Sequence, residues 1–220
     1  MEHADIDRVF RILHEEAKHW QDETVGNIVR DPFLVLVGGV LSHRTKDTTT
    51  HQVLKRLASF VRRPEDLLGI PEEDLARLIH PVGFYREKAK RLREIARILV
   101  AEHQGKVPET EEELLRLPGV GRKTANLVLS LAFGKPAICV DTHVHRITNR
   151  WGLVNTKTPE ETERELQKIL PQDLWGKINK ILVLFGQNVC LPRNPRCKTC
   201  PIASFCERRG VTEPEKAKGR

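Results

Sequence analysis

The chain has 220 residues and carries 37 Lys or Arg against 30 Asp or Glu, a formal net charge of +7. This length is enough for one large or two small domains with apolar cores, and the positive charge favours a polyanionic partner. No apolar run approaches the roughly 18 residues that span a membrane, and the charged N-terminal segment lacks a signal-peptide pattern, so an intracellular protein without membrane contact is expected.

Helical periodicity runs through nearly the whole chain. Apolar residues recur at helical spacing from Ile6 to Ala17, and residues 32–42 form an apolar segment suited to a buried helix. Further helix-like segments follow at residues 51–61, 72–80, 88–103, 111–117, 123–133, 142–151, 160–170 and 176–190. Thr158 and Pro159 form a typical helix start. Because no alternation of period two is sustained, we predict an all-α chain, and residues 211–220 are predicted to be flexible.

A glycine turn, residues 117–121, separates two of these predicted helices, and Arg122 and Lys123 follow it directly. A helix N-terminus normally attracts acidic side chains, because its macrodipole makes that end positive. Cations here suggest that the unpaired N–H groups behind the turn bind an anion, which along DNA is a phosphate. We interpret the segment as a helix-hairpin-helix turn, with a tight αα-corner as the alternative. The predicted DNA-binding residues of this turn are Leu117, Gly119, Val120, Gly121 and Arg122.

Lys123 is a candidate nucleophile. It lies in the first turn of the second helix, where the positive helix end and Arg122 both disfavour its protonated form, and only a neutral amine attacks. A solvated lysine that contacts phosphate is the alternative. Asp141 precedes another predicted helix, where it serves as the N-cap or as the carboxylate that assists the lysine, and the two roles are compatible. A metal site at His143 and His145 is not expected, because residues two apart point to different faces of a helix.

Four cysteines form the pattern C-x6-C-x2-C-x5-C near the C-terminus: Cys190, Cys197, Cys200 and Cys206. Thiols inside the cell stay reduced, so the pattern favours metal ligation over disulfides. The spacing alone leaves structural zinc and an iron–sulfur cluster open. Cys139 lies outside this array and is interpreted as a small core residue.

In this order and spacing, LPGVGRKTA, VDTHVHR and the four cysteines resemble endonuclease III, a base-excision DNA glycosylase family of the helix-hairpin-helix superfamily. The resemblance runs from about Pro32 to Cys206. It implies a two-domain all-α fold with DNA in the cleft between the domains. One domain, residues 25–135, would be a six-helix barrel with the helix-hairpin-helix. The other, residues 1–24 and 136–210, would carry a [4Fe-4S] cluster, and residues 211–220 would form a flexible tail.

The resemblance also implies roles for the candidate residues. The family uses the lysine at position 123 as its nucleophile, the aspartate at position 141 as its catalytic carboxylate, and the four cysteines as ligands of the cluster rather than of zinc. In the implied reaction the damaged base is flipped out, Lys123 attacks the anomeric carbon of the sugar and expels the base, and Asp141 stabilises the developing charge. The resulting Schiff base permits β-elimination 3′ to the lesion. Relatives that only remove a base usually lack this lysine, so Lys123 favours a bifunctional glycosylase and abasic-site lyase.

Two further positions match residues that fill the gap left by the flipped base. Arg44 falls where bacterial members of the family typically have glutamine, which leaves the identity of the opposite base open. Phe84 falls where the family has an apolar wedge, often leucine, and an aromatic ring stacks on bases. The alternatives are a phosphate contact for Arg44 and an ordinary core or surface position for Phe84.

The leading hypothesis is a monomeric bifunctional glycosylase, cytoplasmic or associated with the nucleoid, that removes oxidised pyrimidines from double-stranded DNA and also acts at abasic sites. A mismatch glycosylase, or mainly an abasic-site lyase, of the same fold is the first alternative. A non-catalytic, redox-sensing DNA-binding protein is the second, and it leaves Lys123 and Asp141 without a use.

Overall fold

The structure, a computed structural model, describes residues 3–211, with side chains from residue 5 onward. This described part contains twelve α-helices and two short 3₁₀-helices and no strand, which confirms the predicted all-α fold. The α-helices are α1 (His3–Ala17), α2 (Val25–Ile28), α3 (Pro32–Ser42), α4 (Asp47–Leu57), α5 (Pro64–Gly69), α6 (Glu72–Ile79), α7 (Tyr85–His103), α8 (Glu111–Arg116), α9 (Arg122–Leu131), α10 (Thr142–Trp151), α11 (Pro159–Ile169) and α12 (Gln172–Asn188). None of these helices is both long and apolar enough to cross a membrane. The predicted flexible tail lies outside the described residues, except for Val211.

The chain divides into two compact units. One is Asp22–Cys139, and the other combines Met1–Gln21 with Val140–Arg220. The boundaries predicted from the sequence lie at residues 24/25 and 135/136. The second boundary falls later in the structure because Ala137 and Cys139 are buried in the core of the first unit.

Helix α3 forms the centre of the unit Asp22–Cys139. Its residues 33–41 are all buried, as expected for a helix that is apolar on every side. Asp31 caps the helix by accepting a hydrogen bond from the Leu34 N–H at 3.0 Å. Helix α9 packs directly on α3, and a Cβ added at Gly39 would come within 2.8 Å of Thr124 Cγ2. The small residue therefore lets the helix that carries Lys123 lie close to the core helix.

Six of the eight helices in this unit, α3, α4, α6, α7, α8 and α9, coincide with the six predicted segments, and α2 and α5 are additional. Helix α2 contains only four residues, too few for periodicity to show, and α5 has only two adjacent leucines between Pro64 and Gly69. Contacts far along the chain stabilise α5: Arg93 of α7 donates hydrogen bonds to Leu67 O at 3.1 Å and Leu68 O at 3.2 Å. Hydrogen bonds from a distant arginine to the carbonyl groups at a helix end leave no signal in the sequence of that helix.

Helices α1, α10, α11 and α12 build the other unit. Helix α12 packs against α10 and α1, and the Trp151 side chain of α10 lies with its ring centroid 6.0 Å from that of Phe10 in α1. The predicted start of α11 is confirmed, since Thr158 Oγ1 accepts a hydrogen bond from the Glu161 N–H at 3.2 Å. After α12 the chain continues through the 3₁₀-helices 197–199 and 203–205, which contain or flank three of the four clustered cysteines.

Candidate functional site

The predicted hairpin turn joins α8 to α9. The Val120 N–H donates a hydrogen bond to Leu117 O at 3.1 Å, and Gly121 is the N-cap of α9. Gly119 has a φ of +71°, in the left-handed region that favours glycine. Leu117 and Val120 are buried, whereas Gly119 and Gly121 are exposed. The two apolar side chains therefore anchor the turn, and the glycines present its backbone at the surface.

Two arginines, Arg122 and Arg91, determine how much positive charge lies at this turn. Arg122 forms an ion pair with Glu111 of α8, with 2.9 Å between Nη1 and Oε1. Its guanidinium is thus balanced by a carboxylate, and any phosphate contact competes with Glu111. Arg91 of α7, which the sequence analysis did not select, lies against Gly119 so closely that an added Cβ would overlap its side chain. The turn therefore has a second cation beside it.

Lys123 is half-buried in the first turn of α9, as predicted. Its carbonyl oxygen accepts a hydrogen bond from the Cys139 thiol, with 3.4 Å between sulfur and oxygen. Asn126, one turn further on, donates to Ile138 O at 3.1 Å. The segment after α9 is thereby tied back to the helix, and the prediction of Cys139 as a core residue is confirmed.

His43 is a polar residue that the sequence analysis missed. Its Nε2 lies 2.9 Å from Thr124 Oγ1, in the residue after Lys123. Burial, together with the positive charges of Lys123, Lys88 and Arg91, lowers the pKa of His43 from 6.5 to about 4. The imidazole is therefore neutral at pH 7, and it lies among three cations.

Lys88 was missed as well, although it interrupts the apolar face of α7. The side chain is only 3% exposed, and its ammonium donates hydrogen bonds to Leu41 O at 2.8 Å, to His43 O, and to Thr45 Oγ1 at 3.1 Å. Burial and the nearby charge of Arg91 lower the pKa of Lys88 from 10.5 to about 8. All three N–H donors are used, so this lysine stabilises the C-terminal end of α3 and fixes the loop after it.

The structure brings Arg44 and Phe84 together. The Arg44 guanidinium carbon lies 5.8 Å from the centroid of the Phe84 ring, within cation–π range. Both residues have a left-handed backbone, with φ of 50° and 56°, and Phe84 is 61% exposed. The Gly83 N–H donates to Thr45 Oγ1 at 3.2 Å, and a Cβ on Gly83 would lie 2.6 Å from Arg44 O. The two loops are thus locked together, and Phe84 is an exposed aromatic rather than a core residue.

In the other unit, Asp141 is the N-cap of α10, as predicted. Its Oδ1 accepts hydrogen bonds from the His143 N–H at 2.8 Å and the Val144 N–H at 2.9 Å. Both cap bonds use the same oxygen, so Oδ2 takes part in neither. The carboxylate is only partly buried, and one of its oxygens is thus available for a second role.

The four clustered cysteines line one cavity of about 370 Å³, a volume that includes open solvent. Burial, and to a smaller degree the charges of the other three cysteines, raise the pKa of the Cys200 thiol to about 11. Arg150 of α10 donates from Nη1 to Cys190 Sγ at 3.7 Å. Among the described residues, no three His, Cys, Asp or Glu side chains are grouped to hold a metal ion. The four thiols nevertheless share one cavity, and a cation there would favour their deprotonation, because positive charge lowers the pKa of a thiol.

Comparison with known proteins defines the class to which this fold and these motifs belong. The model of the HhH-GPD superfamily of base excision DNA repair proteins matches residues 37–172. Within that superfamily the chain belongs to the endonuclease III family. It is 54% identical to the endonuclease III of Thermotoga maritima, over 83% of this chain and 87% of that protein.

Solved structures agree with this assignment. A non-covalent endonuclease III–DNA complex is 35% identical, with a TM-score of 0.84 over 94% of this chain and 96% of that chain. A trapped endonuclease III–DNA covalent intermediate with an estranged adenine is 37% identical, with a TM-score of 0.81 over 92% and 95% of the two chains. The predicted fold and the predicted activity, a bifunctional DNA glycosylase and abasic-site lyase of base excision repair, are confirmed. The endonuclease III family carries a [4Fe-4S] cluster.

Proposed function

We propose that the protein acts as a monomer on double-stranded DNA of the nucleoid, where it excises oxidised pyrimidines and then cleaves the strand with Lys123 as nucleophile. The observation that carries this proposal is the position of Lys123, half-buried in the first turn of α9 directly after the hairpin turn. A covalent intermediate of a similar protein with DNA has been trapped, as a nucleophilic enzyme requires.

The hairpin turn binds the DNA backbone in this proposal. The exposed backbone of Gly119 and Gly121 donates N–H groups to a phosphate, and Arg91 adds positive charge beside the turn. Leu117 and Val120 contribute by anchoring the turn in the core. Because Arg122 is paired with Glu111, its contribution to phosphate binding is smaller than that of an unpaired arginine.

In the chemical step, neutral Lys123 forms a bond to the anomeric carbon while the bond from that carbon to the base breaks. The base leaves with the bonding electrons and takes up a proton. Asp141 stabilises the positive charge on the sugar through Oδ2, since Oδ1 is held by the helix cap. The C1′–O4′ bond of the sugar ring then opens as the nitrogen gives up a proton and O4′ takes one up, which leaves a protonated imine between Lys123 and C1′. Loss of a proton from C2′ then breaks the C3′–O bond and releases the 3′ phosphate, which nicks the strand.

Arg44 and Phe84 fill the gap left by the flipped nucleotide in this proposal. The exposed Phe84 ring stacks on the neighbouring bases, and Arg44 donates hydrogen bonds to the base left without its partner. Their left-handed backbones and the contact between the two loops hold the pair in place before DNA binds.

We further propose that Cys190, Cys197, Cys200 and Cys206 hold a [4Fe-4S] cluster. Their shared cavity and the mutual effect of their charges support this, because such a cluster takes one thiolate on each of four irons. When bound, the cluster cross-links the segment that follows α12. Arg150 contributes by donating to Cys190 Sγ and, at 2.6 Å, to Leu191 O.

Borohydride trapping tests the proposed nucleophile. Wild type, Lys123→Gln and Lys135→Gln are each incubated with duplexes that contain an oxidised pyrimidine, an abasic site or a G·T mismatch. Lys135 is the control, because it pairs with Glu109 at 3.3 Å on the surface of the same unit. We expect adducts with the first two duplexes from wild type and Lys135→Gln, and none from Lys123→Gln. An adduct from Lys123→Gln refutes the assignment, and trapping on the mismatch alone favours a mismatch glycosylase.

A further inference from the structure

Trp151 has an unusual environment at the end of α10. Its side chain is 0% exposed and lines the cavity formed by the four clustered cysteines. Its indole N–H is buried and has no hydrogen-bond partner among the described residues. Unpaired buried donors are rare in folded proteins, and each one calls for a specific explanation.

A second tryptophan of the same unit shows the ordinary arrangement. Trp175 donates its indole N–H to Leu170 O at 3.1 Å. A backbone carbonyl thus serves as the acceptor for Trp175, whereas Trp151 has no such partner among the described residues. The cavity that Trp151 lines offers space for a partner of this donor.

The side chains around that cavity narrow the choice of acceptor. Apart from the cysteines, the described lining residues are apolar or are arginines, which only donate: Ile147, Arg150, Phe185, Val189, Pro195, Arg196, Ile202 and Val211. Sulfur is therefore the one side-chain acceptor available there. Arg150 already donates to Cys190 Sγ at 3.7 Å, so sulfur in this cavity does accept hydrogen bonds.

We propose that the Trp151 indole N–H donates a hydrogen bond to a sulfur of the [4Fe-4S] cluster and raises its one-electron reduction potential. This inference rests on the cluster proposed above. A donor to sulfur stabilises the more electron-rich, reduced state, and the effect is larger in a buried site of low dielectric constant. Trp151 therefore makes the cluster harder to oxidise.

The test compares one-electron midpoint potentials of holoproteins by voltammetry. Trp151 is replaced by β-(3-benzothienyl)alanine, which keeps the ring shape but has sulfur in place of the N–H, and in a second variant by phenylalanine, Trp151→Phe. Trp175→Phe is the matched control. We expect both changes at position 151 to favour the oxidised state at least tenfold, a fall of 59 mV for a one-electron couple, and Trp175→Phe to leave the potential unchanged.

Different results would refute the proposed cluster and the proposed hydrogen bond. Iron and sulfide analysis of wild type comes first, and protein that binds neither overturns the cluster. If wild type and the benzothienyl variant both hold a cluster at the same potential, the hydrogen bond is refuted while the cluster stands. If no variant at position 151 retains a cluster, pulsed EPR on wild type with indole-¹⁵N tryptophan decides. Coupling of a ¹⁵N–H group to the cluster supports the bond, and its absence refutes it.

Discussion

His43 should resist protonation far below the pH at which an ordinary histidine takes up a proton. Its pKa falls from 6.5 to about 4, first because of burial and then because of Lys123, Lys88 and Arg91. At pH 5 such a group is about 9% protonated, whereas a histidine of pKa 6.5 is about 97% protonated. The assay is a ¹H–¹⁵N NMR titration of the histidine rings between pH 7.5 and 5, with the His43 signals assigned by their loss in His43→Gln.

The lowered pKa of His43 also determines the direction in which pH changes the stability of the fold. The unfolded chain takes up a proton on His43 as the pH falls through 6.5, but the folded chain does not until about pH 4, so acid favours unfolding in this window. Each pKa unit corresponds to about 1.4 kcal/mol. Acidification from pH 6.5 to 5 therefore costs at most about 2 kcal/mol, and partial solvent access reduces this towards about 1 kcal/mol.

His43→Gln keeps a hydrogen-bonding side chain beside Thr124 and removes the titration. Its thermal stability should therefore fall less than that of wild type between pH 7 and 5, and His14→Gln, which changes an exposed residue of α1, should behave as wild type. A His43 ring that titrates near pH 6.5, or a pH profile that is identical in wild type and His43→Gln, refutes the reasoning.

Three further substitutions separate structural from functional roles. Asp141→Asn keeps a good N-cap, so its melting temperature should stay close to that of wild type. Base release, measured by single-turnover kinetics, should fall about 10²-fold or more. Activity equal to that of wild type would leave Asp141 with the role of a helix cap only. Gly119→Ala must overcome a φ of +71° and the overlap with Arg91, so salt-dependent binding to abasic-site DNA should weaken. Gly69→Ala, at a position outside the turn with nothing within 4 Å of an added Cβ, is the control, and equal losses in both would argue against the hairpin geometry. Lys88→Met should lower the free energy of unfolding by about 1–3 kcal/mol, because three acceptors lose their donor, whereas Lys90→Met on the exposed face of α7 should have little effect in the same denaturation assay.

Local signals predicted much of this molecule. Amphipathic or continuously apolar segments predicted ten of the helices, and the residue types at Asp141 and Thr158 predicted two N-caps that the structure contains. The hairpin turn could also be predicted, because glycine, proline and cations at a helix start form a compact sequence pattern. Each of these features depends on residues within a few positions of one another.

Features that depend on contacts between residues far apart in the sequence could not be predicted from it. Lys88 donates to Leu41 across 47 positions, and nothing in the sequence around either residue indicates that they meet. The cation–π contact of Arg44 with Phe84 is of the same kind, since each residue was selected separately and the contact joins two loops. The pairing of Arg122 with Glu111 arises because the turn folds α8 back beside α9.

The cap geometry of Asp141 bears on how this position can change during evolution. One oxygen serves the helix, and any of Asp, Asn, Ser or Thr supplies that bond, whereas only a carboxylate supplies the charge assigned to the other oxygen. A descendant that lost its chemistry would still be selected to keep a capping residue here. An active copy and an inactive one would therefore differ at this position in charge, while the fold around it stayed the same.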